Sequence, residues 1–199
     1  MARIPFVGLT GGLGAGKSTA LAVLARLGAA TLSTDAVVHE LYASPEIRDA
    51  VVARWGDDVA PGGVVDRSAV AARVFTASDE RAWLEGELWP RVGARIGAWR
   101  EQLAGLQHAP AAAVVEAPLL FEAGMEGIYD ATIAVVAAED VRAARAAARG
   151  HVGAGARAAR QLSQGEKSRR ATYTVSNDGT VEELERELSS VLARLTTRP

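Results

Sequence analysis

The sequence predicts an α/β fold, a mostly parallel sheet covered by helices and interrupted by one long helical insertion. Three observations carry that prediction. Short apolar runs of strand length alternate with helical stretches towards both ends of the chain. The first of these runs leads through a glycine-rich turn straight into a helix. The stretch from Asp35 to about Pro110 is instead helical almost throughout.

Taken in order, Phe6–Leu9 reads as a short strand, with Pro5 tolerable because it stands at the strand's entry. Gly11–Gly16 is a loop, and Lys17–Leu27 a helix with Leu21, Leu24 and Leu27 on one face, stopped by Gly28. Ala30–Ser33 is a second short strand. In the helical region Pro61-Gly62-Gly63 marks a turn. Ser78 is placed to cap a long amphipathic stretch in which Leu84, Leu88, Val92 and Ile96 recur at near-helical spacing. Pro90 is expected to kink or break it. Ala112–Glu116 and Thr132–Ala137 have strand length and composition, and Glu139–Arg149 is a helix whose acidic start suits its dipole. Gly150–Gly155 is expected to be mobile, and Ala156–Leu162 to be a further helix. Tyr173–Ser176 is the last strand, Asn177-Asp178-Gly179 a turn, and Thr180 the cap of a closing helix through Leu195. The whole forms one domain, 1–199. Its core is 1–35, 111–144 and 166–199, with a helical insertion over 36–110 and a lid over 145–165.

Composition limits what such a domain can do. Of 199 residues, 49% are hydrophobic and 23% charged, as in a soluble globular chain. The net charge of -2 supplies no global field for nucleic acid or a membrane surface, so an anionic substrate needs a local cluster. There are no cysteines, which excludes disulfides, thiolate metal sites and cysteine nucleophiles. No basic segment followed by an apolar one opens the chain and no apolar run reaches the length of a span, so the cytoplasm is the expected location. Only two of the 22 basic residues, Lys17 and Lys167, are lysines. The arginine bias suits bidentate phosphate recognition, or equally reflects coding bias in an alanine-rich chain.

Gly11-Gly12-Leu13-Gly14-Ala15-Gly16-Lys17-Ser18 matches G-x-x-x-x-G-K-[ST]. Its glycines let the backbone curl so that successive N–H groups face one anion, and the following helix offers its positive end to the same phosphates. Lys17 brings a compact charge to the β and γ oxygens of a nucleoside triphosphate, and the Ser18 hydroxyl can ligate Mg²⁺. Such loops serve switches, motors and small-molecule kinases. The chain has no base-reading Asn-Lys-x-Asp of a guanine-nucleotide switch. A kinase needs an acceptor-side group and cations over the transferring phosphate. Asp35, at the carboxyl end of the second strand, can accept the hydroxyl proton, hold Mg²⁺, or simply cap the helix that follows. Arg142, Arg145 and Arg149 fall within about 60° of one another on a helix, with Arg149 at the edge of the glycine-rich segment as the lid arginine. The alternative is a solvated basic face. His39 either faces the site a turn beyond Asp35 or lies on the surface. Glu116 either reaches Mg²⁺ through water or is structural. Trp55, Trp83, Trp89 and Trp99 stack on an acceptor ring or fill the insertion's core, and core packing is the expectation.

At these residues the chain resembles the dephospho-CoA kinases. Gly8-Leu9-Thr10-Gly11-Gly12-Leu13-Gly14-Ala15-Gly16-Lys17-Ser18-Thr19 is similar to that family's phosphate loop, typically Leu-Thr-Gly-Gly-Ile-Gly-Ser-Gly-Lys-Ser. Ser33-Thr34-Asp35 with His39-Glu40-Leu41 resembles its Asp-Ala-Asp segment. Asp66-Arg67 and Val74-Phe75 resemble its helical insertion, and Pro118-Leu119-Leu120-Phe121-Glu122 its Pro-Leu-Leu-hydrophobic-Glu signature. Arg145, Arg149, Arg157 and Gln161 resemble the lid pattern, and Asn177-x-Gly179 the last turn. The resemblance implies a P-loop NTPase three-layer core with a five-stranded parallel sheet and a helical lid. It implies transfer of phosphate from ATP to the ribose 3′-hydroxyl of dephospho-CoA, the last step of coenzyme A synthesis. Asp35 then becomes the base, with Lys17 and Arg149 stabilising charge. Gly12, Leu13, Gly14, Ala15, Gly16, Lys17, Ser18, Thr19, Arg145 and Asn177 bind ATP. Thr10, Asp35, His39 and Leu119 bind the acceptor, and Ser18 holds Mg²⁺. Dephospho-CoA and ATP are the expected partners, without nucleic acid or membrane, for a monomer or weak homo-oligomer. Three positions depart from the pattern: Ser33 replaces the first acid, Trp89 stands before Pro90 where histidine is usual, and Thr172 replaces an aspartate. The rival within enzymes is another small-metabolite kinase on the same core, and the rival outside them a P-loop binding or switch protein.

Overall fold

The strand that carries the glycine-rich loop, β1 (Phe6–Gly11), lies at the centre of a five-stranded sheet and is buried along its whole length. The computed structural model describes residues 3–75, 77–148 and 161–196. The other strands are β2 (Ala30–Ser33), β3 (Ala113–Glu116), β4 (Ala131–Val136) and β5 (Tyr173–Ser176), in spatial order β2-β3-β1-β4-β5 and parallel throughout. Parallel strands require crossovers, which the intervening helices provide, so the strands' carboxyl ends share one edge. Gly8, in register with Val115 on one side and Thr132 on the other, has a packing reason to lack a side chain. A Cβ there would lie 2.4 Å from Leu120 Cδ1 and 2.9 Å from Tyr129 Cδ2. Pro5 stands at the strand's entry as expected, its carbonyl accepting the Ala113 N–H.

Among the described residues the helices are α1 (Lys17–Arg26), α2 (Thr34–Tyr42), α3 (Pro45–Trp55), α4 (Arg67–Phe75), α5 (Ser78–Ala104), α6 (Glu139–Ala148), α7 (Gln164–Arg170) and α8 (Val181–Thr196). The chain packs as two compact units, Met1–Ser33 with Arg100–Pro199, and Thr34–Trp99. In the first unit α1 and α8 cover the sheet. Leu24 of α1 and Leu184, Leu188, Val191, Leu192 and Leu195 of α8 join Val7, Leu9, Val114, Ile133, Val135 and Val175 in one apolar core. Helix α1 ends with Gly28 donating to the Ala25 carbonyl and Ala29 to that of Leu24, a Schellman arrangement. Helix α8 opens with a capping box: Glu183 N–H donates to Thr180 Oγ1, and Thr180 N–H to Glu183 Oε2.

The second unit is helical, as expected, and Pro61-Gly62-Gly63 forms a single 3₁₀ turn. Ser44 caps α3 through the Ile47 N–H, and Asp66 receives the N–H groups of Ser68 and Ala69 at the start of α4. Three expectations need correcting. Of the kink or break expected at Pro90, the break does not occur: helix α5 is continuous from Ser78 to Ala104. The ring lies on an exposed face, and residue i−4, whose carbonyl loses its helical donor to the proline, is the exposed Gly86. Ser78 does not cap that helix: its hydroxyl donates to Asp79, while the Ala77 carbonyl accepts from the Arg81 N–H and so occupies the cap position. Leu84, Leu88, Val92 and Ile96 are buried as their spacing predicts, but Trp89, one position off that stripe, is 52% exposed and not a core residue. Trp55 and Trp83 pack edge to face at 5.0 Å, with Trp55 Nε1 donating to Glu80.

Candidate active site

The phosphate loop is held by its own atoms and by groups from the far end of the chain. Lys17 Nζ donates to the carbonyls of Gly11 and Gly12 at 3.1 and 3.3 Å, and Ala15 N–H to the Gly12 carbonyl. Gly14 and Gly16 adopt φ of +76° and +89°, the left-handed region that a curled loop needs and a side chain resists. Space forbids a side chain as well. A Cβ on Gly14 would meet the Arg142 carbonyl oxygen at 2.5 Å, and one on Gly16 the Asn177 Nδ2 at 1.9 Å.

Three side chains fix the loop from outside. Arg142 Nε donates to the Leu13 carbonyl at 2.9 Å, and Gln161 Oε1 accepts the Leu13 N–H at 3.1 Å. Asn177 is 4% exposed, and its Nδ2 donates to the Ala15 carbonyl at 2.9 Å. Arg145 Nη1 in turn donates to the Asn177 carbonyl. The loop, Arg142, Arg145 and Asn177 therefore form one bonded group. Gly12 and Ala15 are buried, Leu13 and Thr19 half-buried, and Ser18 exposed in the first turn of α1.

At the same sheet edge, Glu116 ends β3 and is only 7% exposed, in register with Ser33 at the end of β2. The Ser33 hydroxyl donates to Glu116 Oε2 at 2.9 Å. Ser33, one of the departures from the family pattern, thus supplies a hydrogen bond where a second acid would add like charge. Thr172, another departure, makes side-chain bonds to Thr132: its Oγ1 accepts the Thr132 N–H at 3.0 Å, and its own N–H donates to Thr132 Oγ1.

Sequence reasoning missed a third feature. Lys167, on α7, is 0% exposed, and its Nζ bonds Glu122 Oε1 at 2.8 Å, the Pro118 carbonyl at 2.8 Å and Thr10 Oγ1 at 3.3 Å. Burial pushes its pKa below the usual lysine range, and Glu122 opposes that shift. Thr10 is fully buried beside it and Leu119 half-buried in the segment after β3. The available sequence signal was the rarity of lysine in this chain.

In the helical unit, Asp35 lies exposed in the first turn of α2, and His39 is exposed one turn on. His39 Nδ1 and Arg67 Nη1 are 2.9 Å apart. Arg149, Arg157, Gly150–Gly155 and all but the end of the Ala156–Leu162 helix lie outside the described residues, whereas Gln161 and Leu162 are non-helical. Among the described residues no group of three or more His, Cys, Asp or Glu could hold a metal ion. Mg²⁺ in phosphoryl transfer takes one or two protein oxygens and completes its shell with phosphate and water, and the exposed Ser18 hydroxyl suits that role.

A parallel sheet whose central strand delivers a lysine-bearing phosphate loop into a helix defines a P-loop nucleotide-binding core. A family model described as dephospho-CoA kinase matches residues 5–183. The chain is 39% identical over 192 residues to the dephospho-CoA kinase of Deinococcus radiodurans, covering 95% of this chain and 91% of that one. It is 38% identical over 183 residues to the dephospho-CoA kinase of Moorella thermoacetica, covering 88% and 85%. Among solved structures it resembles TT1252 from Thermus thermophilus, with a TM-score of 0.78 at 34% identity over 97% of this chain and 99% of the other. The dephospho-CoA kinase of Campylobacter jejuni shares the fold, with a TM-score of 0.64 at 20% identity over 96% and 97%. The chain belongs to the dephospho-CoA kinase family.

Proposed function

We propose that the protein transfers the γ-phosphoryl group of ATP to the ribose 3′-hydroxyl of dephospho-CoA, giving coenzyme A. The observation that carries this reading is the extent of the family match. It runs from residue 5 to residue 183 and so takes in the helical unit as well as the phosphate loop. The loop alone supports only nucleotide binding.

The division of labour follows from chemistry. The loop from Gly12 to Thr19 cradles the phosphates with backbone N–H groups and the start of α1. Lys17, held at rest by the Gly11 and Gly12 carbonyls, exchanges those partners for β and γ oxygens. Mg²⁺, when bound with ATP, neutralises charge developing between the β and γ phosphates, and Ser18 is the residue to hold it. Asn177, bonded to the Ala15 carbonyl of the loop, and Arg145, bonded to Asn177, serve the nucleotide end. Asp35 takes the acceptor proton, Arg149 stabilises the transferring group, and Thr10, His39 and Leu119 are the other acceptor-side residues. No helix among the described residues is long and apolar enough to cross a membrane, and the cytoplasm is the proposed location.

The test is an ADP-release assay with ATP, Mg²⁺ and a panel of hydroxyl acceptors. Dephospho-CoA is expected to stimulate release far above the acceptor-free rate. Stimulation by another metabolite and not by dephospho-CoA would replace the acceptor, and the absence of acceptor stimulation would make this a slow nucleotide hydrolase or switch.

A further inference from the structure

Seven residues that close the described chain back onto the sheet, Gln161 to Lys167, bond the carboxyl ends of three strands. Gln161 accepts the Leu13 N–H just beyond β1. The Leu162 N–H donates to Glu122 Oε1 at 2.7 Å. Gln164 makes a reciprocal pair with the backbone of Ala137 just beyond β4: its Oε1 accepts the Ala137 N–H at 3.0 Å and its Nε2 donates to the Ala137 carbonyl at 2.8 Å. Lys167 completes the set with Thr10 in β1 and with Pro118 and Glu122 beyond β3.

We propose that Lys167 is a positioning residue for nucleotide binding, setting the root of the phosphate loop by tying Thr10 to the Pro118–Glu122 segment. An ammonium has three N–H donors, and here three acceptors take them, so none remains for a phosphate. The side chain is completely buried, which excludes surface solvation as its purpose. Thr10 immediately precedes the first glycine of the loop, so a shift at Thr10 is transmitted to Gly11 and Gly12, whose carbonyls hold Lys17. The charge is expensive to bury and a well-packed apolar side chain would serve stability as well, so what the ammonium adds is the fixed geometry of three acceptors.

The test compares Lys167→Met with the double variant Lys167→Met/Glu122→Gln, reading thermal stability and ATP affinity by equilibrium titration. Lys167→Met leaves Glu122 buried without its cation and is expected to lose both stability and affinity. In the double variant the uncompensated charge is gone and the side-chain amide introduced by Glu122→Gln still accepts the Leu162 N–H, so stability returns. ATP affinity is expected to stay about tenfold weakened, with the KM for ATP following it. Wild-type ATP affinity in the double variant would make the ammonium merely structural and overturn the proposal. Loss of the fold in both variants would overturn it too, by making the residue a determinant of folding. The inference rests on the phosphotransferase reading, but its binding readout uses no acceptor. A wild-type protein that binds ATP and ignores dephospho-CoA would sink the acceptor assignment alone.

Discussion

Replacing Gly16 by alanine tests how the two ends of the chain share the phosphate loop. Gly16 sits at φ +89°, where an alanine costs about 1 kcal/mol. Its Cβ would also stand 1.9 Å from Asn177 Nδ2 and 3.2 Å from Asn177 Cγ, so the amide must leave. The Ala15 carbonyl then loses a buried donor that held it at 2.9 Å, a further cost of about 1.5 kcal/mol. Gly16→Ala is therefore expected to cost about 2.5 kcal/mol, and Asn177→Ala alone about 1.5 kcal/mol. In the double variant the clash is absent and the bond is already lost, so the total stays near 2.5 kcal/mol instead of reaching about 4 kcal/mol. Urea unfolding of the four proteins measures this coupling of about 1.5 kcal/mol. Additive losses would refute the reasoning, because they would mean that Asn177 does not occupy the space a Gly16 side chain needs. Nucleotide titration on the same four proteins should rank them in the same order.

Two other expectations can be checked with single variants. Asp35→Asn is expected to keep ATP affinity within about twofold while lowering kcat by about 100-fold or more, and unchanged turnover would remove Asp35 from the mechanism. Tyr129 is 7% exposed, burial pushes its hydroxyl from 10.0 up to about 12, and that hydroxyl has no hydrogen-bond partner among the described residues. Between those values the native state keeps a proton that the unfolded chain releases, so its contribution is intact below pH 10 and is lost as pH rises through 12, about 3 kcal/mol in all. Tyr129→Phe is expected to match or exceed wild-type stability at pH 7 and to flatten this alkaline decline; an equally steep decline would assign it to other groups.

The parts of the fold that read clearly from sequence are those where local chemistry dictates shape. The five strands are short β-branched and apolar runs bounded by turns, and each was found within two residues of its expected ends. The loop was legible because a backbone that wraps an anion demands glycine at fixed spacings followed by lysine. Thr180 with Glu183 was legible because a capping box is three residues long. What failed depended on context. Pro90 reads as a breaker on its own, and the exposed face and the small neighbour Gly86 make it tolerable within α5. Ser78 loses its cap role to a backbone carbonyl one residue earlier. Of the site, the sequence did not show that Ser33 holds Glu116 across β2 and β3, since that pairing depends on strand register.

Lys167 was hidden for a stronger reason, since its Thr10 partner is 157 residues away and no local pattern announces the pair. Composition nonetheless held a clue. The chain places arginine at all but two of its 22 basic positions, and Arg169 and Arg170 on α7 itself follow that habit on exposed ground. The two lysines stand out against that habit, and each is a compact ammonium whose N–H groups meet acceptors at close quarters. One is Lys17, whose Nζ donates to the Gly11 and Gly12 carbonyls inside a curled loop. The other is Lys167, whose three donors meet three acceptors in a space closed to solvent. Both stand at the carboxyl edge of the same sheet, one within the phosphate loop and one at its root, and arginine enrichment elsewhere is what makes them visible.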